Sequence, residues 1–332
     1  MVQGSGQKCV AAVVAAVTTV GAVGAIAAWP ATSRAAVWKD GCPAFFPPED
    51  APPGMTDIKV HDGSAAFGAL PAIDSPLGPS RVAAEGWLST IRPETVGATI
   101  ARQAGARLVL QGNLTSGPTF GLIYAGYSVP NEMRGANDNH LGDLTLSAGY
   151  RHTGYMFGPM FRSGFAIRLA GGGPLTARTA ASFAGQREQV ARLSPFRGAN
   201  FGTEAPFTAT LEYRIEMIGC RAPFVDLRVD LSRWQPGGGE RAVVDVPIEV
   251  AIGAYPWEMF ALYMAIGEEL RAHAAPYRRL TRITLGFEVH PTAAKHVRLG
   301  LRASTFTGEA IGGAELGVTL ELLVPWWKGT LE

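Results

Sequence analysis

The chain has few cysteines, no excess of charge of either sign and no apolar run of helical length beyond its first residues. Three cysteines occur among 332 residues, and 29 Lys and Arg residues face 28 Asp and Glu residues, which gives a formal net charge of +1. Binding to nucleic acid requires a basic surface that neutralises phosphates. The charge balance therefore predicts that nucleic acid is not a partner.

Sequence motifs of catalysis are also lacking. The chain contains no G-x-S-x-G elbow, no H-E-x-x-H and no Walker loop. The six histidines are dispersed; His290 and His296 bracket a predicted turn and are the best candidates for a metal site, but a plain turn is the simpler interpretation. We predict no enzyme, no catalytic residues, no cofactor and no metal.

The first residues have the pattern of an export signal. Lys8 precedes the apolar run CVAAVVAAVTTVGAVGAIAAW, and Ser33 and Ala35 are small residues suited to cleavage before Ala36. Residues 1–35 are therefore predicted to be a signal peptide, with an uncleaved membrane anchor as the alternative. In either case the rest of the chain leaves the cytoplasm.

Export would place the remaining two cysteines where disulfides form. Cys9 would be removed with the signal, which leaves Cys42 and Cys220 in an oxidising compartment. A disulfide between these two is the leading interpretation, and two unpaired thiols are the alternative.

The composition and the periodicity of the sequence change near residue 80. Residues 36–79 are rich in Pro, Gly, Ala and Asp and are predicted to form an extended periplasmic segment. Residues 80–327 alternate apolar and polar side chains with the period of β-strands, and residues 328–332 form a short tail. The predicted strands are 81–90, 107–114, 118–129, 143–152, 158–170, 207–218, 224–234, 242–253, 257–268, 281–290, 297–306 and 314–325.

Two segments are less regular. Residues 91–106 look like a loop with one helical turn. Residues 257–270 are apolar on both faces of the period-two pattern, so a strand and a helix both remain open.

Strand length and loop length favour a membrane barrel over a soluble sandwich. Most predicted strands are as long as the roughly 9 to 11 residues that a tilted strand needs to cross the hydrocarbon. Short and long connections alternate along the chain, as expected when tight periplasmic turns face longer extracellular loops. We predict an all-β, antiparallel, up-and-down transmembrane β-barrel of about 12 strands, with a secreted soluble β-sandwich that binds a ligand as the alternative.

The last strand carries a recognisable pattern. Glu315, Gly317, Leu320 and Leu322 resemble the insertion signal of Gram-negative outer-membrane β-barrel proteins, and HLGDLTLSAGYRHTGY is similar to the hairpins of porin-like and transport-like barrels. The resemblance implies a location in the cell outer membrane. It also implies outer-membrane lipid, lipopolysaccharide and the barrel-assembly machinery as partners.

The polar faces of the strands carry charges of both signs. A conduit for small polar solutes and a salt-bridged, filled structural or adhesive barrel both fit this pattern. The residues predicted to line the lumen are Glu212, Arg214, Glu216, Asp226, Arg228, Asp230, Arg282, Glu288, Arg298, Arg302, Glu315 and Glu321.

Two further features concern the barrel's ends. The loop 171–206 is a candidate constriction or lipopolysaccharide-contacting surface, with a solvated loop of no specific role as the alternative. Aromatic side chains near the predicted periplasmic ends are candidates for an aromatic belt at the membrane interface. They are Tyr255, Trp257, Trp326 and Trp327.

Overall fold

The structure of the chain is a computed structural model, and the regular elements among its described residues are β-strands. It describes residues 71–78, 80–93, 101–113, 117–131, 136–156, 161–174, 204–217, 223–235, 242–257, 260–272, 278–289, 297–308 and 311–323. The strands are β1 (Arg81–Pro93), β2 (Ala101–Asn113), β3 (Gly117–Asn131), β4 (Ala136–Met156), β5 (Phe161–Pro174), β6 (Glu204–Met217), β7 (Pro223–Gln235), β8 (Val243–Trp257), β9 (Phe260–Ala272), β10 (Arg279–Val289), β11 (Val297–Gly308) and β12 (Ile311–Leu323).

The twelve strands form one closed barrel in which each strand pairs antiparallel with its neighbours in sequence. The barrel closes between β1 and β12, whose register runs from Arg81 opposite Leu323 to Pro93 opposite Ile311. Because the number of strands is even, the chain enters β1 and leaves β12 at the same end of the barrel. The predicted up-and-down barrel is thereby confirmed, and the soluble sandwich is wrong.

The structure tests the predictions for the two less regular segments. The predicted loop at 91–106 is wrong at both of its ends, because β1 continues to Pro93 and β2 already begins at Ala101; residues 94–100 lie outside the described residues. The ambiguous segment 257–270 is largely strand β9. Within the described part of the chain, no helix has the length and apolarity needed to cross a membrane.

The barrel is apolar outside and charged inside. Leu285, Leu146 and Phe120 expose 61%, 59% and 59% of their surface, whereas Arg214 and Glu85 expose 0% and 1%. This is the reverse of a soluble protein, in which charged side chains face water and large apolar ones are buried. It is the distribution of a barrel whose outer surface contacts lipid.

Inward-facing aromatic rings lie against glycines of the neighbouring strand. Trp87 is directly opposite Gly105, and Tyr263 is directly opposite Gly286. A Cβ atom at Gly105 would lie 2.0 Å from the Trp87 ring, and one at Gly286 would lie 1.9 Å from the Tyr263 ring. Each ring thus takes the space of the missing side chain and covers the glycine backbone, which helps to fix the register. The same arrangement joins Phe224 to Gly253 and Phe306 to Gly313.

Residues 71–78, here called the lumen segment, precede β1 and lie inside the barrel. Ile73, Ser75 and Leu77 expose 2%, 0% and 0% of their surface although the segment belongs to no strand. Two turns fold it: the Ser75 N–H donates to the Ala72 carbonyl and the Gly78 N–H donates to the Ser75 carbonyl, both at 3.1 Å. The sequence predicted that this stretch would end a periplasmic extension; its position in the lumen was not anticipated.

Several predictions lie outside the described residues. They concern the signal peptide at 1–35, most of the extension 36–79, Cys42 and Cys220, most of the loop 171–206, the side chain of Trp257, and Trp326 and Trp327 with the tail 328–332.

Candidate functional site

The inner wall of the barrel carries rows of Arg, Asp and Glu side chains. Period-two alternation directs every second side chain of a strand into the lumen. The structure places all twelve predicted lumen-lining residues there: Arg228 and Asp230 are partly buried and the other ten are buried.

A second set of lumen residues, on the first strands of the barrel and on β8 and β9, was not among the predicted ones. They follow the same alternation, so the same period-two criterion applied to β1, β2, β4, β5, β8 and β9 would have found them. They are Arg81, Glu85, Arg107, Arg151, Arg168, Asp245, Glu269 and Arg271.

Ion pairs connect strands around the wall. Arg81 bonds Glu321 at 3.0 Å across the closure between β1 and β12. Glu85 accepts from Arg107 Nε at 2.5 Å and also pairs with Arg302. Because these groups are removed from bulk water, each charge needs such a partner.

At mid-lumen, three arginines from different strands hold the carboxylate of Asp74. Arg168 Nη2 donates to Asp74 Oδ2 at 2.8 Å, and Arg228 donates to Oδ1 at 3.1 Å and to Oδ2 at 3.3 Å. Arg107 Nη2 lies 3.9 Å from Oδ1. Arg107, Arg168 and Arg228 are called the arginine cluster below.

The electrostatics of Asp74 follow from this geometry. Burial alone would raise the pKa of Asp74, but the guanidinium groups of Arg228, Arg168 and Arg107 hold it well below its usual range. Asp74 lies on the lumen segment and not on a strand. It is therefore an ionised group that the barrel wall binds, and it is not itself part of that wall.

The segment is also held through its backbone. Gln111 Nε2 donates to the Ser75 carbonyl at 2.7 Å, and the Ser75 hydroxyl donates to Glu212. Arg151 Nη1 donates to the carbonyls of Gly78 at 2.6 Å and Leu77 at 3.2 Å. Side chains of the wall, neutral in Gln111 and charged in Arg151, therefore satisfy backbone groups that no strand pairing satisfies.

A cavity of about 60 Å³ lies beside Asp74. Its volume suffices for a few water molecules. Five arginines line it, against three acidic side chains. The charged lining residues are Arg107, Arg168, Arg228, Arg282, Arg302, Asp74, Asp230 and Glu249.

Tyr255 lies on the inward face and not on the predicted aromatic belt. It packs against the buried cluster of Phe224, Ala261 and Tyr263, with its ring centroid 5.9 Å from that of Phe224. The prediction relied on proximity to a strand end, but the parity of β8, on which Ala251 is buried and Ile252 exposed, directs Tyr255 into the lumen.

The predicted insertion motif divides between the two faces of β12. Glu315 accepts from Ser89 Oγ at 2.9 Å in the lumen, and a Cβ at Gly317 would lie 2.8 Å from Arg302 Nε. Leu322 is exposed on the outside. In the folded barrel, Glu315 and Gly317 thus contribute an acceptor and the space for a guanidinium.

Among the residues that the structure describes, no three His, Cys, Asp or Glu side chains are grouped so that they could hold a metal ion. The side chains that contact the Asp74 carboxylate at mid-lumen are guanidinium groups, which are charge partners for an anion.

Solved structures with a similar fold include channels and transport barrels of bacterial outer membranes. An outer membrane channel from Pseudomonas putida F1 is 14% identical, with 77% of this chain and 100% of that one covered and a TM-score of 0.49. The transport unit of the autotransporter AIDA-I from Escherichia coli is 10% identical, covering 81% and 97%, with a TM-score of 0.43. The NanC porin is 6% identical, covering 73% and 100%, with a TM-score of 0.41.

At these values the likeness assigns neither a family nor a solute. No family model and no curated protein match the chain.

Proposed function

We propose that the protein is an outer-membrane channel for small solutes and that the lumen segment closes it in the state described here. The observation that carries this proposal is the filling of the lumen by residues 71–78, which belong to no strand. A barrel of about twelve strands is wider than the eight-stranded kind that wall side chains can fill alone. Departure of the segment would therefore leave a charged conduit.

The contacts of the segment support movement without loss of the barrel. Its described contacts with the wall are hydrogen bonds, ion pairs and packing, and the sheet closes through β1 and β12 without it. Twelve strand pairings would persist if the segment left, because none of them includes residues 71–78.

A filled structural or adhesive barrel without transport is the alternative, and the extensive ion pairing of the lumen favours it. Charges of the wall such as those of Arg81 and Glu321 are paired with each other, which satisfies a closed interior without any solute. The two functions differ in how the barrel responds to displacement of the segment, since only a channel then passes solute.

The apolar exterior and the last strand support a location in the outer membrane. The exposed apolar exterior fits a lipid environment, and the resemblance at Glu315, Gly317, Leu320 and Leu322 supports insertion by the barrel-assembly machinery. Lipid and lipopolysaccharide would then be the surroundings of the barrel.

Liposome swelling tests the proposal. Leu77 is fully buried beside Arg151, whose guanidinium bonds the Leu77 carbonyl. Leu77→Arg should displace the segment by like-charge repulsion, and Leu77→Met keeps an apolar side chain as the matched control. In isotonic arabinose, liposomes with Leu77→Arg should swell faster than those with the native chain or Leu77→Met.

Heat-modifiable migration on a denaturing gel establishes that each variant is folded. If liposomes that contain folded Leu77→Arg swell no faster than liposomes without protein, the filled-barrel alternative is correct.

A further inference from the structure

The lumen contains a site that fits a carboxylate, and a carboxylate of the protein itself occupies it. Both oxygens of Asp74 receive guanidinium contacts: Oδ2 from Arg168 and Arg228, and Oδ1 from Arg228 and Arg107. Planar guanidinium groups matched to both oxygens of a carboxylate form the strong, directional kind of charge-assisted bond. The wall therefore has the geometry of a carboxylate receptor.

The cationic side chains around this site differ in how they depend on Asp74. Arg228 also pairs with Asp230 at 2.9 Å, and Arg107 also pairs with Glu85. In the described part of the chain, Asp74 is the only carboxylate within ion-pair distance of Arg168. Arg168 is thus a buried cation whose acidic partner is not part of the barrel wall.

The adjoining cavity points to the same ligand chemistry. Its lining has five arginines, and when Asp74 is discounted only Asp230 and Glu249 remain as acidic side chains. The Nε atoms of Arg168 and Arg302, both lining residues, are buried and have no hydrogen-bond partner among the described residues. Buried donors of this kind call for an acceptor supplied by water or by a ligand.

From this geometry we infer that the arginine cluster and its cavity form a binding site for small organic carboxylates, and that Asp74 competes with such a solute for the site. This inference rests on the proposed channel function and names the solute class and the gate of that channel. A solute carboxylate that replaces Asp74 on Arg168 and Arg228 removes the main ionic attachment of the lumen segment. Binding of the solute and opening of the conduit are then coupled.

The coupling gives a quantitative expectation. While Asp74 occupies the arginine cluster, only the small fraction of molecules with the segment displaced can bind solute, so the apparent affinity is reduced by that fraction. Replacing Asp74 by a residue without a carboxylate should remove the competitor and raise affinity.

The experiment measures binding of succinate to the full chain in detergent micelles at pH 7 by titration calorimetry. Asp74→Asn removes the charge and retains the shape of the side chain; Asp74→Asn with Arg168→Gln also removes a proposed ligand of the solute. Asp245→Asn is the matched control, because Asp245 is a buried acid that bonds Arg271 at 2.8 Å and is not among the lining residues of the cavity.

We expect Asp74→Asn to bind succinate about tenfold or more tightly than the native chain. The double variant should lose this gain, Asp245→Asn should show none, and the neutral analogue succinamide should not bind to any of them. If Asp74→Asn and the native chain bind succinate equally, or if succinamide binds as well as succinate, the inference is wrong.

The outcome is separable from the proposed channel function, because binding in micelles requires no flux. Succinate binding without swelling of Leu77→Arg liposomes would overturn the channel and leave the carboxylate site standing. Swelling of Leu77→Arg liposomes in arabinose without any succinate binding would support the channel and overturn the carboxylate site.

Discussion

The ion pair between Asp74 and Arg168 should stabilise the docked segment by a measurable free energy. Asp74→Ala leaves Arg168 buried with Thr210 Oγ1, at 3.3 Å, as its remaining side-chain partner among the described residues. Removing one partner of a buried ion pair costs about 3 to 5 kcal/mol. The adjoining cavity admits water to Arg168, so we expect the lower end of this range, about 3 kcal/mol.

The reverse substitution should cost less. In Arg168→Gln, Asp74 keeps Arg228 at 3.1 Å and Arg107 at 3.9 Å, so its charge stays compensated. A loss of about 1.5 kcal/mol is expected for the missing hydrogen bonds. In the double variant both charged side chains are replaced, so neither remains as a buried charge without the other. The loss in free energy of unfolding should therefore be smaller than the sum of the two single losses by roughly 1.5 kcal/mol.

Reversible urea unfolding of the full chain in detergent micelles gives these free energies through a double-mutant cycle. Arg271→Gln combined with Asp74→Ala provides the matched control, because Arg271 pairs with Asp245 and Glu269 instead. That control pair should be additive. Additivity within about 0.5 kcal/mol for Asp74 and Arg168 would refute the docking of the segment on the arginine cluster.

Three further predictions concern the lipid face, the register and pH. Leu285→Arg should lower the free energy of unfolding in lipid vesicles by about 2 to 4 kcal/mol, and Thr307→Arg, near a strand end, by about 1 kcal/mol or less; equal losses would contradict the lipid-facing assignment. Gly286→Ala should cost about 1 to 3 kcal/mol by overpacking against Tyr263, with partial recovery in Gly286→Ala/Tyr263→Leu; no loss in urea unfolding would contradict the ring position. Because arginines depress the pKa of Asp74, its contribution to closure is present above the ordinary aspartate pKa and lost only as pH falls below roughly 4. The ratio of swelling rates between Asp74→Asn and the native chain should therefore be the same at pH 7 and pH 5, and a ratio that approaches one at pH 5 would contradict the assignment.

The strands were predictable because lipid outside and charge inside impose a strict alternation on a barrel strand. On β10, Arg282, Thr284 and Glu288 are buried while Ile283 and Leu285 are exposed, as their alternation in the sequence predicts. Which face of the barrel each side chain takes depends on this period alone, so no knowledge of distant contacts is needed.

The start of β2 was missed because its local propensity is poor. Residues such as Ala104 and Gly105 are uncommon in strands, and the stretch looks like a loop when taken alone. The pairing of Gly105 with Trp87 on β1 explains the glycine, since a side chain there would overlap the ring. That requirement becomes visible only when the two strands are side by side.

The lumen segment could not be found by periodicity. The stretch PAIDSPLG has the proline and glycine content of a linker, and its contacts join residues far apart in sequence, such as Asp74 and Arg228, which are 154 positions apart. A single Asp in a linker gives no sign of the three arginines that hold it. Only the closed barrel brings these groups together.

Single-channel recording in planar bilayers tests most directly whether the lumen segment closes a conduit. The native chain should remain closed for most of the recording, and Asp74→Ala should show discrete, long-lived current steps of one size. Silence in both proteins, or equal open times in both, would contradict the closure of the barrel by residues 71–78.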